Sequence, residues 1–114
     1  MFISIAVQLM QAAMNPKSEL PQSFCVRKLK VLADTTRLSV LEILMEGPKH
    51  VGELNAVLDV EQSLLSHHLK VLREEGFVEA TRDGKAVLYR LTPAVWQEKV
   101  GRAIDLGCCL LSFN

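Results

Sequence analysis

A stretch with helical spacing of leucines most constrains the fold of this chain. Residues 62–76 carry Leu65, Leu69 and Leu72 at a spacing that places all three on one side of an α-helix. Gly76 follows, and a glycine at that position is typical of the end of a helix. The stretch therefore predicts an amphipathic helix that is anchored by leucines and presents its other side to a partner or to solvent.

The hydrophobic period changes from 3.6 to 2 directly after this helix. Residues 77–82 and 85–91 have the composition of two strands, separated by Asp83 and Gly84. The alternation is clearest at Val87, Tyr89 and Leu91. An Asp-Gly pair between two such runs predicts a β-hairpin with a type I′ turn.

The remaining segments are predicted to be mainly helical. Besides residues 62–76, helices are predicted at residues 2–14, 22–33, 37–46, 51–58 and 93–111. The short connection at residues 58–61 gives two of these helices the spacing of a helix-turn-helix motif. The last helix is predicted to start after Pro93, a residue suited to a first helical turn. Its predicted inner side consists of Trp96, Val100, Ala103, Gly107 and Leu110.

The length and composition of the chain indicate one small domain. Its 114 residues suit a single core, and we predict an extension at residues 1–19 followed by a domain at residues 20–114. Hydrophobic residues make up 49% of the chain while aromatic residues make up 5%, so aliphatic packing should dominate. A small domain with this much apolar surface is expected to bury some of it against a partner, and a homodimer is the default expectation.

Charge and cysteine content narrow the class of protein further. The 13 basic and 13 acidic residues cancel, which argues against a general polyanion binder. Three cysteines are an odd and small number, which favours a reducing, cytoplasmic location. Residues 1–14 are apolar, but they lack a basic start and are too short to span a bilayer. No membrane partner is expected.

The polar side of the helix at residues 62–76 is suited to contact with DNA. Ser63, Ser66, His67 and Lys70 lie on one side of it, and no carboxylate occurs between residues 62 and 73. Hydroxyl, imidazole and ammonium groups can meet base edges in the major groove. The simpler alternative is a solvated polar face, and the same alternative applies to the basic residues at the hairpin tip.

Three motifs resemble the ArsR/SmtB family of bacterial repressors. They are LKVLADTTRLSVLEIL at residues 29–44, LLSHHLKVLREEGFV at residues 64–78 and DGKAVLYRL at residues 83–91. The resemblance implies a mainly α, winged helix-turn-helix protein with a β-hairpin wing, homodimeric through its first and last helices. It also implies repression at a palindromic DNA operator that is released when an inducer binds. The two recognition helices of such a dimer should lie roughly 34 Å apart.

The resemblance assigns seven residues to the DNA contact. By position, they are Gln62, Ser63, Ser66, His67 and Lys70 in the major groove, with Arg82 and Lys85 on the wing. Leu64 departs from the family pattern, where a smaller or polar residue is usual. The bases that this helix would contact are therefore open, because Leu64 can touch a thymine methyl group or pack inside.

The inducer site is predicted from the cysteines. The arsenic site of relatives is absent because residues 51–59 contain no cysteine, and zinc sensing is disfavoured because residues 93–111 contain no histidine. Cys108 and Cys109 remain, with Cys25 as a third ligand from the partner subunit. Three thiolates suit a soft ion, and the resemblance makes arsenite or antimonite the leading inducer. No resident cofactor is required.

The sequence leaves three alternatives open. Cys25 with Cys108 or Cys109 would also serve thiol redox or reactive-sulfur sensing, with Lys28 favouring the thiolate of Cys25. Cys25 alone is also an ordinary core residue. An adaptor that dimerises without binding DNA is the alternative from another class. An enzyme is not expected, because the sequence has no glycine-rich phosphate loop and no nucleophile–base spacing.

Overall fold

The computed structural model describes residues 22–113, which form four α-helices and two small sheets. The helices are α1 (Gln22–Leu32), α2 (Thr35–Leu44), α3 (Val51–Leu58) and α4 (Gln62–Glu74). The strands are β1 (Lys49–His50), β2 (Val78–Asp83), β3 (Ala86–Leu91), β4 (Ala103–Asp105) and β5 (Leu110–Ser112), with a 3₁₀ turn at Glu98–Val100. The predicted helix at residues 2–14 lies outside the described residues. Within them, no helix is long and apolar enough to cross a membrane.

Two local features position the helix-turn-helix motif. Asp34 has an extended backbone and caps α2, since its carboxylate accepts a hydrogen bond of 3.0 Å from the backbone N–H of Arg37. Asp59 ends α3 in the left-handed conformation, with φ of 51°. Aspartate tolerates this conformation better than most residues. The chain can therefore reverse within a few residues and start α4 at Gln62.

The predicted leucine side of α4 forms the centre of the core. Leu65, Leu69 and Leu72 are completely buried, together with Leu41 of α2 and Leu54 of α3. The other large and fully buried side chains are Val40 and Leu44 of α2, Phe77 and Val78 at the start of the wing, and Ile104 of the C-terminal segment. Burial of this apolar surface holds α4 against the rest of the domain, with its polar side outward.

The wing is a three-stranded antiparallel sheet rather than a plain hairpin. Its strand order is β1-β3-β2, and β1 was not predicted because two residues carry no detectable period. Asp83 pairs with Ala86, so the loop consists of Gly84 and Lys85. Among these loop residues only Gly84 has a positive φ, of 64°, whereas a type I′ turn needs one at both positions. The type I′ prediction is wrong, and the φ values follow the type II′ pattern.

The predicted last helix at residues 93–111 is wrong. This segment forms turns and the β4–β5 hairpin, in which Ile104 pairs with Leu111. Gly101 and Gly107 have φ values of 84° and 94°, which a right-handed helix cannot contain. The backbone N–H of Asp105 instead donates to the carbonyl of Val95 at 2.8 Å. The α-helix that was predicted to take part in the dimer is therefore not formed at residues 93–111. The dimer itself stays a prediction.

The predicted inner side of that helix is also wrong. Val100 and Leu110 are 52% and 61% exposed, respectively. The indole N–H of Trp96 donates to the carbonyl of Gly101 at 2.8 Å and closes the turn before β4. Ile104 and Leu106, which were not on the predicted side, are the residues of this segment that are buried in the core.

Candidate DNA-binding face and cysteine cluster

All seven residues predicted to contact DNA are exposed. They are Gln62, Ser63, Ser66, His67 and Lys70 on α4, with Arg82 at the end of β2 and Lys85 in the wing loop. Leu64, which departs from the family pattern, is 46% exposed rather than packed inside. The polar side of α4 and the wing tip are therefore both accessible in this chain.

Carboxylates lie at both ends of the polar side of α4. The hydroxyl of Ser63 donates to Glu61, which precedes the helix. The ammonium of Lys70 lies 4.0 Å from the carboxylate of Glu74, one turn further along the helix. The central part, at Ser66 and His67, is free of carboxylates within the helix. A negatively charged partner would therefore meet the least repulsion from carboxylates of this region at the centre of this face.

The second histidine of the pair on α4 has a structural position that sequence reasoning missed. His68 is buried, and its Nδ1 accepts a hydrogen bond of 3.0 Å from Nε of Arg37. Because Nδ1 accepts, a neutral His68 carries its proton on Nε2, 4.0 Å from the carboxylate of Asp34. Adjacent helical residues point about 100° apart, so a buried second histidine was foreseeable once His67 faced outward.

Arg37 extends this contact to α1. Its Nη1 donates to the carbonyl of Val31 at 3.1 Å, near the end of that helix. The hydrogen bond from its backbone N–H is the main reason why the pKa of Asp34 lies below the usual range. These hydrogen bonds connect the end of α1, the start of α2 and the buried side of α4.

The wing is tied to the start of α3 by a histidine. Nε2 of His50 lies 2.8 Å from the carboxylate of Asp83, and Nδ1 lies 3.0 Å from that of Glu53. The hydrogen bond to Asp83, followed by that to Glu53, raises the pKa of His50. Asp83 stands between Arg82 and the wing loop, so this contact fixes the base of the basic wing tip.

The three cysteines meet at one place in the chain. Cys25 of α1 and Cys108 form a disulfide, with their Cα atoms 5.9 Å apart. Cys109 carries a free thiol, is exposed, and has its sulfur 3.9 Å from that of Cys108. All three sulfur atoms lie within 4.8 Å of one another. We call Cys25, Cys108 and Cys109 the cysteine cluster.

The cluster is assembled differently from the sequence prediction. Cys108 and Cys109 lie in the loop between β4 and β5, closed by a hydrogen bond of 2.9 Å from the N–H of Leu106 to the carbonyl of Cys109. They are not neighbours on a helix. Cys25 joins them from the same chain, so no partner subunit is needed to bring the sulfurs together. Lys28 was predicted to favour the thiolate of Cys25, and in the structure its ammonium hydrogen-bonds to Glu75.

Comparisons with known proteins identify relatives of this chain. The family model described as bacterial regulatory protein, arsR family, matches residues 34–80. The chain is 43% identical over 77 residues to the biofilm growth-associated repressor of Agrobacterium fabrum, covering 68% of this chain and spanning 62% of that protein. It is 40% identical over 78 residues to the arsenical resistance operon repressor of Escherichia coli, covering 66% of this chain and 67% of that protein.

A solved structure supports the same fold. The solution structure of a homodimeric winged helix-turn-helix DNA-binding domain from Mycobacterium bovis matches with a TM-score of 0.57 and 28% identity. The match covers 71% of this chain and 68% of that one. The predicted winged helix-turn-helix fold is therefore confirmed.

Proposed function

Because this chain belongs to the arsR family of bacterial regulatory proteins, we propose that it is a transcriptional repressor controlled by its cysteine cluster. In this proposal a homodimer binds a palindromic DNA operator while the cysteines are reduced, and releases it when Cys25 and Cys108 form a disulfide. The observation that carries the control mechanism is the meeting of three sulfur atoms within 4.8 Å.

The DNA contact is proposed for α4 and the wing. Ser66 and His67 occupy the exposed centre of α4, where they can meet base edges in the major groove. Arg82 and Lys85 lie at the wing tip, where cations favour contact with phosphates. The buried leucines of α4 and the hydrogen bond between Arg37 and His68 would hold the helix in place during binding.

The homodimer is proposed from exposed apolar surface on α1 and in the C-terminal segment. Val26 and Leu29 of α1 are 41% and 45% exposed, and Val100 and Leu110 are exposed as well. In a single chain, these side chains face solvent. Apolar surface of this kind is typical of a contact between protein chains.

The chemistry of control is a two-electron oxidation. The thiols of Cys25 and Cys108 lose two protons and two electrons, and hydrogen peroxide accepts them to give two molecules of water. A persulfide RSSH can serve as the oxidant too, giving RSH and hydrogen sulfide. The bond would join α1 to the loop between β4 and β5 within one chain.

A second candidate is control by arsenite or antimonite. When reduced, the cysteine cluster offers three thiolates, which suit a soft trivalent ion. The exposed Cys109 favours this candidate because a disulfide between Cys25 and Cys108 does not use it. Control then requires only that the ion prefer the form of the repressor that does not bind DNA.

The DNA contact is tested with a site selected from a random duplex library by the reduced protein. Ser66→Ala and His67→Ala should each cost about 1–3 kcal/mol on that site and relax its sequence preference. Arg82→Ala should weaken binding to all sequences and reduce the salt dependence by about one charge. A protein that selects no site, or variants that bind as the wild type does, would favour the adaptor.

The two inducers are separated by titrating the reduced protein on this DNA with arsenite and with a persulfide donor. Cys109→Ser should leave release by the persulfide intact, because Cys25 and Cys108 remain. The same variant should weaken release by arsenite, because one of three ligands is lost. Cys25→Ser should abolish the response to the persulfide donor. Release that persists in the Cys25→Ser, Cys108→Ser double variant would contradict control by the cluster.

A further inference from the structure

A half-buried lysine joins α1 to the C-terminal end of α4. The ammonium of Lys28 donates to the backbone carbonyl of Glu75 at 2.5 Å and lies 3.1 Å from the carboxylate of the same residue. Its side chain is only 13% exposed. The ammonium also lies 5.2 Å from the ring of Phe24 and 5.5 Å from that of Phe77. Arg27 makes a second, more exposed contact of 3.3 Å with Glu75.

This contact is strong for physical reasons that act together. Glu75 is the C-cap residue directly after α4, where the helix dipole favours a cation. The hydrogen bonds are charge-assisted and partly removed from water. The two aromatic rings add a cation–π attraction. Lys28 therefore fixes the distance between α1 and the end of α4, beyond what apolar packing alone would do.

The same lysine is close in sequence to the cysteine cluster. Cys25 and Lys28 are three residues apart on α1, less than one helical turn. A direct route from Cys108 and Cys109 to the end of α4 is poorly packed. A cleft of about 220 Å³ is lined by Gly107, which precedes Cys108, by Glu75, which follows α4, and by Phe24 and Lys28 of α1. A displacement of α1 by the disulfide would reach α4 through Lys28 more readily than across this cleft.

We propose that Lys28 is a positioning residue that couples the state of the cysteine cluster to the orientation of α4. Formation of the bond between Cys25 and Cys108 moves α1, and Lys28 transmits that movement to Glu75 and hence to Ser66 and His67. The inference rests on the proposed function, since it needs DNA binding that depends on the cluster. It adds one residue of α1 through which the two sites communicate, besides the contacts of Arg37 with Val31 and His68.

The test compares Lys28→Met with the matched control Lys30→Met. Both changes remove an ammonium from α1, but Lys30 is exposed on the other side of the helix. The measured quantity is the ratio of Kd values for the oxidised and reduced protein on the DNA site selected by the reduced wild type. We expect a ratio of about tenfold or more in the wild type and in Lys30→Met, a usual size for such coupling. In Lys28→Met it should fall to within about threefold of unity, while thiol titration shows that the disulfide still forms.

A second measurement covers the case in which Lys28→Met folds poorly. Glu75→Gln keeps the backbone carbonyl and removes the charge, so its ratio should fall between those of the wild type and Lys28→Met. Hydrogen exchange of the amides of α4 should differ between oxidised and reduced wild type, and the difference should shrink in Glu75→Gln. A wild type without any redox difference in Kd would overturn the proposed redox control of DNA binding itself. A normal difference that survives in both variants would overturn only the role of Lys28.

Discussion

The helix-turn-helix with its wing and the C-terminal segment differ in how their sequences encode structure. Residues 34–91 contain a capped helix, a tight turn, a leucine-backed helix and a hairpin, and each has a local signal that agrees with its tertiary contacts. Residues 92–113 have apolar residues at helical spacing, but they form turns and a small hairpin. The conflicting signals are Gly101 and Gly107, which take positive φ values.

The comparison shows that the spacing of hydrophobic residues predicts a helix or a strand correctly only where the backbone conformation of every residue in the segment agrees with it. A glycine costs a helix only about 1 kcal/mol relative to alanine, so two glycines alone do not forbid one. In the C-terminal segment both glycines instead take a positive φ, at turns of the chain. Between them, β4 places Ile104 in the core that α4 builds. The sequence pattern therefore predicts the structure of one region and not of the other, although both regions contribute to one core.

The largest effect should come from cavities in this shared core. Ile104→Ala and Leu69→Ala each truncate a completely buried side chain, so each should lower the free energy of unfolding by about 2–5 kcal/mol. Denaturant unfolding of the reduced protein measures both. A loss below about 1 kcal/mol for Ile104→Ala, with a full loss for Leu69→Ala, would show that the C-terminal hairpin packs independently of the core.

A glycine substitution distinguishes the hairpin from the predicted helix by its sign. Gly101→Ala should destabilise the protein by about 1–2 kcal/mol, since φ is 84° there and alanine avoids that conformation. The added Cβ would meet no atom within 4 Å, so crowding does not contribute. The control is Gly52→Ala inside α3, which also has open space and should stabilise by up to about 1 kcal/mol. Stabilisation by both changes would contradict the hairpin and support the predicted helix at residues 93–111.

A smaller effect is expected at the cap of α2. Asp34→Ala should cost about 1 kcal/mol of unfolding free energy at neutral pH, because the N–H of Arg37 loses its acceptor. The pKa of Asp34 is lowered, so this stabilisation is present above the ordinary pKa of an aspartate and is lost as the pH falls through the lowered pKa. Unfolding curves at neutral and acidic pH measure it, with the exposed change Glu46→Ala as control. A cost that is equal at both pH values would contradict the role of the carboxylate.

The smallest effect concerns the contact between the wing and α3. The pKa of His50 is raised by Asp83 and Glu53, so its stabilisation is fully present below the ordinary histidine pKa. It is lost as the pH rises through the raised pKa. His50→Gln should therefore lower the melting temperature more at about pH 5.5 than at about pH 9. Asp83→Asn should remove most of this pH dependence, and a uniform effect of His50→Gln would exclude the ion pair.

The candidate sites were predictable to different degrees. The exposed residues of α4 follow from helical spacing, since the positions opposite Leu65 and Leu69 must face outward. The three cysteines were predicted as the inducer site because the other ligand sites of the family lack the required residues in this sequence. Their meeting within one chain was not predictable, because it depends on a loop that sequence reasoning took for a helix. The roles of Arg37 and His68 also needed the structure, since hydrogen bonds across helices have no sequence period.

By itself, the sequence determined the helix-turn-helix, the wing and the outward face of α4, because each depends on repeats of a few residues and on cap or turn chemistry. Only the tertiary structure decided that the C-terminal segment forms a hairpin and that Cys25 reaches Cys108, which lies 83 residues away in the chain. The physical reason is range. Backbone preference and hydrophobic period act over single turns and strands, whereas the contacts of Lys28 and of the cysteine cluster exist only after those elements have packed.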